Sequence, residues 1–394
     1  MLALRLARGT HPLVLVRRLL VAAASAGVGF LLLCTLAYAS THPAYSTASV
    51  LRLLWCFVPL AATVQFAVAV ARTDPSTRPR PGLSAVGLGP LRLGMLAAVS
   101  TAVSCTLGSM VALLVFLYLR GDLPGLPFDG APAGLLGAGA PLPVAATLVL
   151  LTVVPVAAAA ASAMALRTRP LQAAVPEDAT QDIVPDEQIP APADPPTGLP
   201  WGVALTAAGL AVEAYASHDG AGRAFPLPGI PDTTPPWVLA GWSLTAIGLA
   251  MAGPGLTHLC GQLLQAVRPG AVRLLAGRVL MDEARRIGRP LGVVCAVLSA
   301  AIAAIALYGT GPRPFGPLTA LGAVLVLGCT TATLLTSALE AKQARAHLAR
   351  TLLRLGAPAS ALRAATALRV GVLLVVFAPI TWAIAELAAL PLTG

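Results

Sequence analysis

The stretch LLRLGAPASALRAATALR (residues 352–369) lies between two strongly apolar runs near the end of the chain. Its basic residues are Arg354, Arg363 and Arg369. Gly356 is typical of a helix C-terminus, and Pro358 is typical of the first turn of the next helix. The stretch therefore predicts two short helices that meet at a bend. Its apolar and basic faces predict that these helices press against the cytoplasmic face of a membrane.

The rest of the chain has the composition of a membrane protein. Of its 394 residues, 57% are hydrophobic and only 11% are charged, which excludes an ordinary soluble domain. Apolar runs of about 20 residues, long enough to cross the hydrocarbon core, recur along the sequence. The sequence predicts an all-α, polytopic integral membrane helical bundle with about nine transmembrane helices. The predicted spans are 19–39, 51–71, 93–118, 142–166, 200–216, 237–258, 290–309, 317–338 and 370–389.

The basic residues predict the orientation of these spans. Lys and Arg near span ends favour the cytoplasmic side. With the N-terminus in the cytoplasm and the C-terminus outside, nearly all of the 26 basic residues fall in cytoplasmic segments. The exceptions are Arg52, Arg120, Arg223 and Arg313. We therefore expect a multi-pass protein of the cell membrane. Its net charge of +10 reflects this topology and contact with anionic lipid, and gives no reason to expect nucleic acid.

The cysteines lie in or at the ends of the predicted spans. They are Cys34, Cys56, Cys105, Cys260, Cys295 and Cys329. Their spacing fits neither a metal site nor a disulfide in an extramembrane loop, so we expect them to pack as small apolar residues. The apolar run over 19–36 is longer than a signal-peptide core, so we expect the first helix to be retained.

A linker divides the membrane part of the chain. Residues 175–200 are rich in proline and acidic side chains and can bury little apolar surface, which predicts an extended cytoplasmic tether. We expect an N-terminal membrane half over 1–171 with spans one to four, followed by the linker over 172–199. A central helical hairpin over 200–260 then holds spans five and six, and a C-terminal half over 261–394 holds spans seven to nine.

The two halves have the pattern of a pseudo-repeat. In each, a basic lead-in precedes a span, a short outer loop, a second span, a basic cytoplasmic segment and a third span. LSAVGLGPLRLGMLAAVS (residues 83–100) follows span two, the position that the opening stretch occupies after span eight. The lead-in over 273–290 has charged residues on one helical face and Ala276, Leu280 and Ile287 opposite. This pattern is typical of a helix at the membrane surface or of one that caps the bundle.

This order of segments resembles the FtsX-like permease family of ABC transporters. RTLLRLGAPASALRAA (residues 350–365) is similar to the family's cytoplasmic motif, and residues 72–93 resemble a degraded first copy. RLLAGRVLMDEARRIGRPLGVV, from Arg273, resembles the lead-in of a second permease domain. The chain departs from the family in two respects. The outer loops at 40–49 and 309–317 leave no room for a large extracellular domain, and the last half has three spans where four are common.

The resemblance implies that the cytoplasmic segments are coupling helices against a separate ABC-type ATPase. A short helix with an apolar face and a basic rim suits a groove in a soluble partner. The implied partners are this ATPase and membrane lipid, and no cofactor is implied. The implied coupling residues are Leu352, Arg354, Leu355, Gly356, Ala357 and Pro358 in the second copy, and Val86, Gly87, Leu88, Gly89 and Pro90 in the first.

Residues suited to catalysis are few. The chain has no Gly-x-x-x-x-Gly-Lys-Ser/Thr phosphate loop, so we expect ATP hydrolysis in the partner and no enzyme activity here. Its histidines have neither metal-ligand nor triad spacing, so no metal site is predicted. Glu213 and Glu386 lie near the outer ends of spans five and nine. Charge inside a membrane points to function, but both carboxylates are also close enough to the interface to reach lipid headgroups.

The sequence favours a permease subunit that moves an amphipathic or lipid-like substrate by export. The alternative is a non-transporting FtsX-like membrane scaffold or sensor. A secondary transporter is the third choice, because the intramembrane charges are few and peripheral and leave little to carry protons or ions.

Overall fold

The computed structural model describes residues 12–44, 46–73, 90–122, 136, 141–167, 196–218, 225–226, 233–234, 236–266, 270–308, 316–356 and 358–393. Nearly all of these residues are helical, and we number the helices in chain order. Before the linker they are α1 (Pro12–Thr41), α2 (Ser46–Thr73), α3 (Pro90–Arg120) and α4 (Val144–Arg167). After it come α5 (Leu199–His218), α6 (Pro236–Gln265), α7 (Ala271–Tyr308), α8 (Pro317–Ala344), α9 (Ala346–Arg354) and α10 (Ala359–Thr393).

Within the described ranges, eight helices are long and apolar enough to cross a membrane. The predicted helical membrane bundle is confirmed. A helix suits this environment because it satisfies its own backbone hydrogen bonds where no water can do so. The fifth predicted span, 200–216, forms α5, which is not one of the eight. Its 20 residues still extend over about 30 Å, the thickness of the hydrocarbon core.

Large apolar side chains cover the outside of the bundle. Leu114, Val156, Val324 and Val375, on four different helices, are all more than half exposed. A soluble protein seldom exposes contiguous apolar surface on this scale. In a bilayer the same surface lies against lipid tails, which are as apolar as the side chains themselves.

A small strand pair lies between α5 and α6. The strands β1 (Phe225–Pro226) and β2 (Thr233–Thr234) run antiparallel, and Phe225 pairs with Thr234. This pairing is local to the connection and leaves the helical class of the fold unchanged.

The first packing group is centred on α1. This helix packs against α2, α3 and α4, with Val28, Phe66 and Phe116 among the most buried side chains. The Ser25 hydroxyl of α1 donates to the Cys105 carbonyl of α3 at 2.8 Å, a kind of bond that links helices in lipid. All six cysteines of the chain are free and buried, as expected for small packing residues.

The second packing group is centred on α6, which lies between α5 and α7. Small residues line both of its faces. A Cβ atom at Gly202 of α5 would lie 2.7 Å from Ala252 Cα of α6. One at Gly288 of α7 would lie 2.5 Å from Pro254 Cα of α6. Glycine at these positions allows the helix backbones to approach more closely than any side chain would permit. The last helix, α10, packs against α7.

The helix α8 connects the two groups. It packs against α7, its neighbour in sequence, and against α1 and α2 of the first group. Cys329 of α8 belongs to the same buried cluster as Val21 of α1 and Phe66 of α2. Thr63 Oγ1 of α2 lies 3.6 Å from Cys329 Sγ. The C-terminal part of the chain therefore contributes directly to the core of the N-terminal part.

The triplets α1–α2–α3 and α7–α8–α10 pack alike. In each triplet the first helix packs against both the second and the third, and the two middle helices, α2 and α8, contact each other. This arrangement is the one expected if the two triplets are copies of one ancestral unit.

The lead-in over 273–290 is part of α7 and does not form a separate helix. The helix α7 runs from Ala271 through Pro290 to Tyr308. Its apolar face, with Ala276 and Leu280, is buried in a cluster with residues of α6 and α10. The prediction of a helix on the membrane surface is wrong, because the apolar face packs against protein. The alternative of a helix packed on the bundle is closer to the structure.

Candidate functional site

The helices α8, α9 and α10 meet in an elbow, which we define as residues 345–358. It contains α9 and the turn that follows, where Gly356 takes a φ of +92°. Side chains rarely tolerate this left-handed conformation, so glycine suits the position. The backbone amides of Leu355 and Gly356 donate to the carbonyls of Thr351 and Leu353 at 3.0 and 3.1 Å.

The bend predicted at Gly356 and Pro358 is present. Pro358 directly precedes α10, and its carbonyl accepts the amide of Ala361 at 3.0 Å. The second helix at the bend is not short, however. It is the beginning of α10, which continues for 35 residues into the bundle.

The elbow presents apolar side chains on its outside. Leu353 is 45% exposed and Leu355 is 79% exposed, and Arg354 between them is exposed as well. Covering an exposed leucine contributes about 1.5–3 kcal/mol. The elbow therefore has the properties of a docking surface, with apolar contacts beside a cation. Leu353 was not among the predicted site residues.

A buried carboxylate fastens the elbow to the bundle. Glu283 of α7 is 8% exposed. Its Oε1 lies 2.5 Å from Arg345 Nε, at the start of the elbow, and its Oε2 lies 3.9 Å from Arg369 Nη1 of α10. We call these three residues the Glu283 cluster. They join α7 to the first residue of the elbow and to α10, and the two arginines compensate the charge of Glu283 where water is scarce.

The sequence contains a signal for the burial of Glu283. Along α7, Ala276, Leu280, Glu283 and Ile287 recur at helical spacing, so they share one face. Glu283 is therefore a charge on the apolar face of the lead-in, whereas neighbouring Asp282 is exposed. A charge placed in an apolar stripe predicts a buried partner of opposite sign.

The structure brings together part of the predicted coupling set. Leu352 and Arg354 lie in α9, with Leu355, Gly356 and Pro358 directly after it. Ala357 lies outside the described residues. In the first copy, Pro90 begins α3. The first-copy residues Val86, Gly87, Leu88 and Gly89 lie outside the described residues, so their part in coupling stays a prediction.

The two predicted intramembrane carboxylates have different surroundings. Glu213 of α5 is 2% exposed, and its Oε1 accepts a hydrogen bond from Thr245 Oγ1 of α6 at 3.3 Å. Glu386 of α10 is exposed. Contact with lipid headgroups therefore suits Glu386, whereas Glu213 faces the inside of the bundle.

Comparison of the chain with family models, with curated proteins and with solved structures finds no match. The elbow and the buried carboxylates are therefore the features from which a function is inferred.

Proposed function

We propose that the protein is the membrane subunit of an ABC-type transporter, and that a separate cytoplasmic ATPase docks at its elbow. The elbow is the observation that carries this proposal. It is a short helix followed by a turn at Gly356, it presents Leu353 and Leu355, and it is held to the bundle by Glu283. Such a subunit would export an amphipathic or lipid-like substrate.

The Glu283 cluster supports this proposal mechanically. A docking surface transmits motion to the membrane helices only when it is rigidly attached to them. The two arginines that pair with Glu283 belong to the beginning of the elbow and to α10. A displacement of α9 by a partner would therefore move α7, α8 and α10 together, as rigid elements move in domain rotations.

The similar packing of the two helix triplets supports a second docking segment. The elbow lies between the second and third helices of the triplet α7–α8–α10. In the triplet α1–α2–α3, the equivalent position is 74–89, which contains the predicted first-copy residues Val86 and Leu88. Two docking segments related by a repeat would give a partner two points at which to move the bundle.

The proposal is tested by purifying the protein from its native membrane with its bound partners. We expect an ATPase with a phosphate loop to accompany it. Replacing Leu353 and Leu355 with Asp removes apolar contact and buries uncompensated charge in the interface. Because an unpaired buried charge costs several kcal/mol, we expect ATPase affinity to fall by about a hundredfold or more. The recovered complex should lose ATP turnover in proportion.

Matched variants separate this effect from general damage. Leu355→Met keeps the apolar contact and should retain the partner, and Ser360→Asp adds one negative charge just beyond the elbow and should also retain it. Val86→Asp with Leu88→Asp should weaken binding less, because the first copy is more degraded. Normal binding and stimulation by the Leu353, Leu355 double variant would reject the elbow as a docking site. Absence of any phosphate-loop ATPase from the wild-type complex would favour the scaffold or sensor alternative.

A further inference from the structure

A small cavity lies among α5, α6, α7 and α10. Its volume is about 40 Å³, and it is partly open to the surface of the bundle. Its polar lining comes from Glu213, Trp242, Thr245 and Ser299, and the remaining lining side chains are alanine, leucine and isoleucine. One water needs about 10–15 Å³ of such volume. The cavity therefore has room for a small polar group. Only one end of a larger ligand could enter it.

Most of the polar atoms that line this cavity are hydrogen-bond acceptors. Thr245 donates its proton to Glu213 Oε1 at 3.3 Å, and Ser299 donates its proton to the carbonyl of Cys295 or Thr381 at 2.8 and 3.1 Å. The lone pairs of both hydroxyls remain available. Glu213 Oε2 is buried and, within the described part of the chain, has no hydrogen-bond partner.

The cavity also contains a carboxyl group without a cationic partner in its lining. Among the described residues, Glu213 is the only charged side chain in its lining. A buried carboxylate without a cation is strongly unfavourable in apolar surroundings. Such a carboxylate either takes up a proton or pairs with a ligand that carries positive charge, and a ligand with several donors also suits the acceptors around it. A primary ammonium group carries both, with three N–H donors for Glu213 Oε2 and the two hydroxyl oxygens.

Trp242 narrows the chemistry of the ligand further. Trp242 lines the same cavity, and its indole Nε1 is buried and finds no acceptor among the described residues. An indole nitrogen is a donor only, so it repels a bare cation and needs an oxygen from the ligand. An aminoethyl phosphate has an ammonium group and oxygen acceptors a few bonds apart, and so satisfies both sides of the cavity.

The position of the cavity suits a lipid headgroup. Glu213 lies roughly 8 Å from the end of α5 along the helix axis, and Trp242 lies roughly as far from the start of α6. In the predicted topology this is the outer end of the bundle. Leu387 directly precedes the lining residue Ala388 in sequence, and its apolar side chain is exposed. Leu387 offers apolar surface for an acyl chain outside the cavity.

We propose that this cavity binds the ammonium group of an aminoethyl phospholipid headgroup, while the acyl chains stay in the bilayer. The inference goes beyond the proposed function, because it concerns binding by this chain alone and does not require an ATPase at the elbow. If the chain does transport, the headgroup defines a class of substrate.

The test uses the delipidated full-length protein and native mass spectrometry. The probes are lysophosphatidylethanolamine and lysophosphatidylcholine, which differ only in replacement of the ammonium N–H groups by methyl groups. We expect the wild type to bind the ethanolamine lipid about tenfold tighter or more, the value of one charged hydrogen bond. Glu213→Gln should reduce the preference to within about twofold. Glu386→Gln makes the same change on the exposed carboxylate and should behave as the wild type.

One further variant and one competition experiment complete the test. Trp242→Phe should weaken both lipids alike, because both carry the phosphate oxygens. This variant tests the site even if Glu213→Gln fails to fold, which thermal unfolding would show. Equal affinity of the wild type for the two lipids would overturn the proposal, and so would an unchanged preference in Glu213→Gln. Competition by free ethanolamine at the same concentration as the lipid would reject a lipid headgroup in favour of a soluble amine.

Discussion

Glu213 and Glu283 are both acidic and almost fully buried, yet their surroundings differ. Glu283 pairs with Arg345 and Arg369, so its charge is compensated within the chain. Glu213 receives one hydrogen bond from Thr245. A carboxylate with its own counter-charges stabilises the arrangement of helices around it. A carboxylate without them is suited to bind something from outside.

For Glu283 we predict a structural effect. Glu283→Gln removes the negative charge with which Arg345 and Arg369 both pair. We expect the free energy of unfolding to fall by about 1.5–3 kcal/mol, the range for a hydrogen bond to a charged group. Thermal unfolding of the purified protein in detergent measures this change.

The neighbouring residue provides the control. Asp282→Asn removes the same charge one position earlier, where the side chain is exposed. We expect an unchanged unfolding midpoint, because isolated exposed charges contribute little. Equal loss in the two variants would mean that helix electrostatics, and not the Glu283 cluster, sets the stability.

At the scale of helices, the close approach of α6 to α5 and α7 depends on residues without side chains. We predict that Gly288→Ala lowers stability by about 1–3 kcal/mol, the range for overpacking. The added Cβ would lie 2.5 Å from Pro254 Cα, so α7 must shift away from α6. Thermal unfolding and intramolecular crosslinking between α6 and α7 report this change.

Gly371→Ala of α10 is the matched control. A Cβ atom there meets nothing within 4 Å, and alanine favours a helix by about 0.5–1 kcal/mol over glycine. We expect this variant to be as stable as the wild type or slightly more so. A neutral result for Gly288→Ala would show that the α6–α7 interface adapts without loss.

The sequence predicted some features of the helices and missed others for physical reasons. Apolar runs predict the spans because lipid imposes length and composition on each helix by itself. Gly356 predicts the bend because its backbone conformation is local. Where the amphipathic lead-in over 273–290 packs could not be predicted in this way. An amphipathic face looks the same whether it meets headgroups or α6, and only packing decides between them.

The sites depend on residues that are distant in sequence. Glu213 was found because charge in a span is conspicuous by itself. Its companions Trp242 and Ser299 were not, because tryptophan and serine are ordinary in membrane helices. Only the packing of α5, α6 and α7 brings the three to one cavity. Glu283 is an intermediate case. The sequence shows that it lies on the apolar face of its helix, but it does not show that Arg345 and Arg369 are its partners.

At the scale of the whole molecule, the orientation in the membrane is still a prediction, and labelling tests it. In a background without native cysteines, a membrane-impermeant thiol reagent applied to intact cells should modify Ser46→Cys and spare Ala179→Cys. The reason is the concentration of Arg and Lys in the segments assigned to the cytoplasm. Modification of Ala179→Cys in unbroken cells would contradict the topology and move the elbow outside, away from any cytoplasmic ATPase.

The packing of α8 has a consequence for how the protein must be made. This helix belongs to the C-terminal part of the chain, but it completes the core around α1 and α2. Fragments produced by a cut in the linker would each leave a helix face unmatched until the two fragments meet. Synthesis as one polypeptide supplies the two parts in equal amounts and in the same place. The linker thus guarantees stoichiometry, whatever its own conformation.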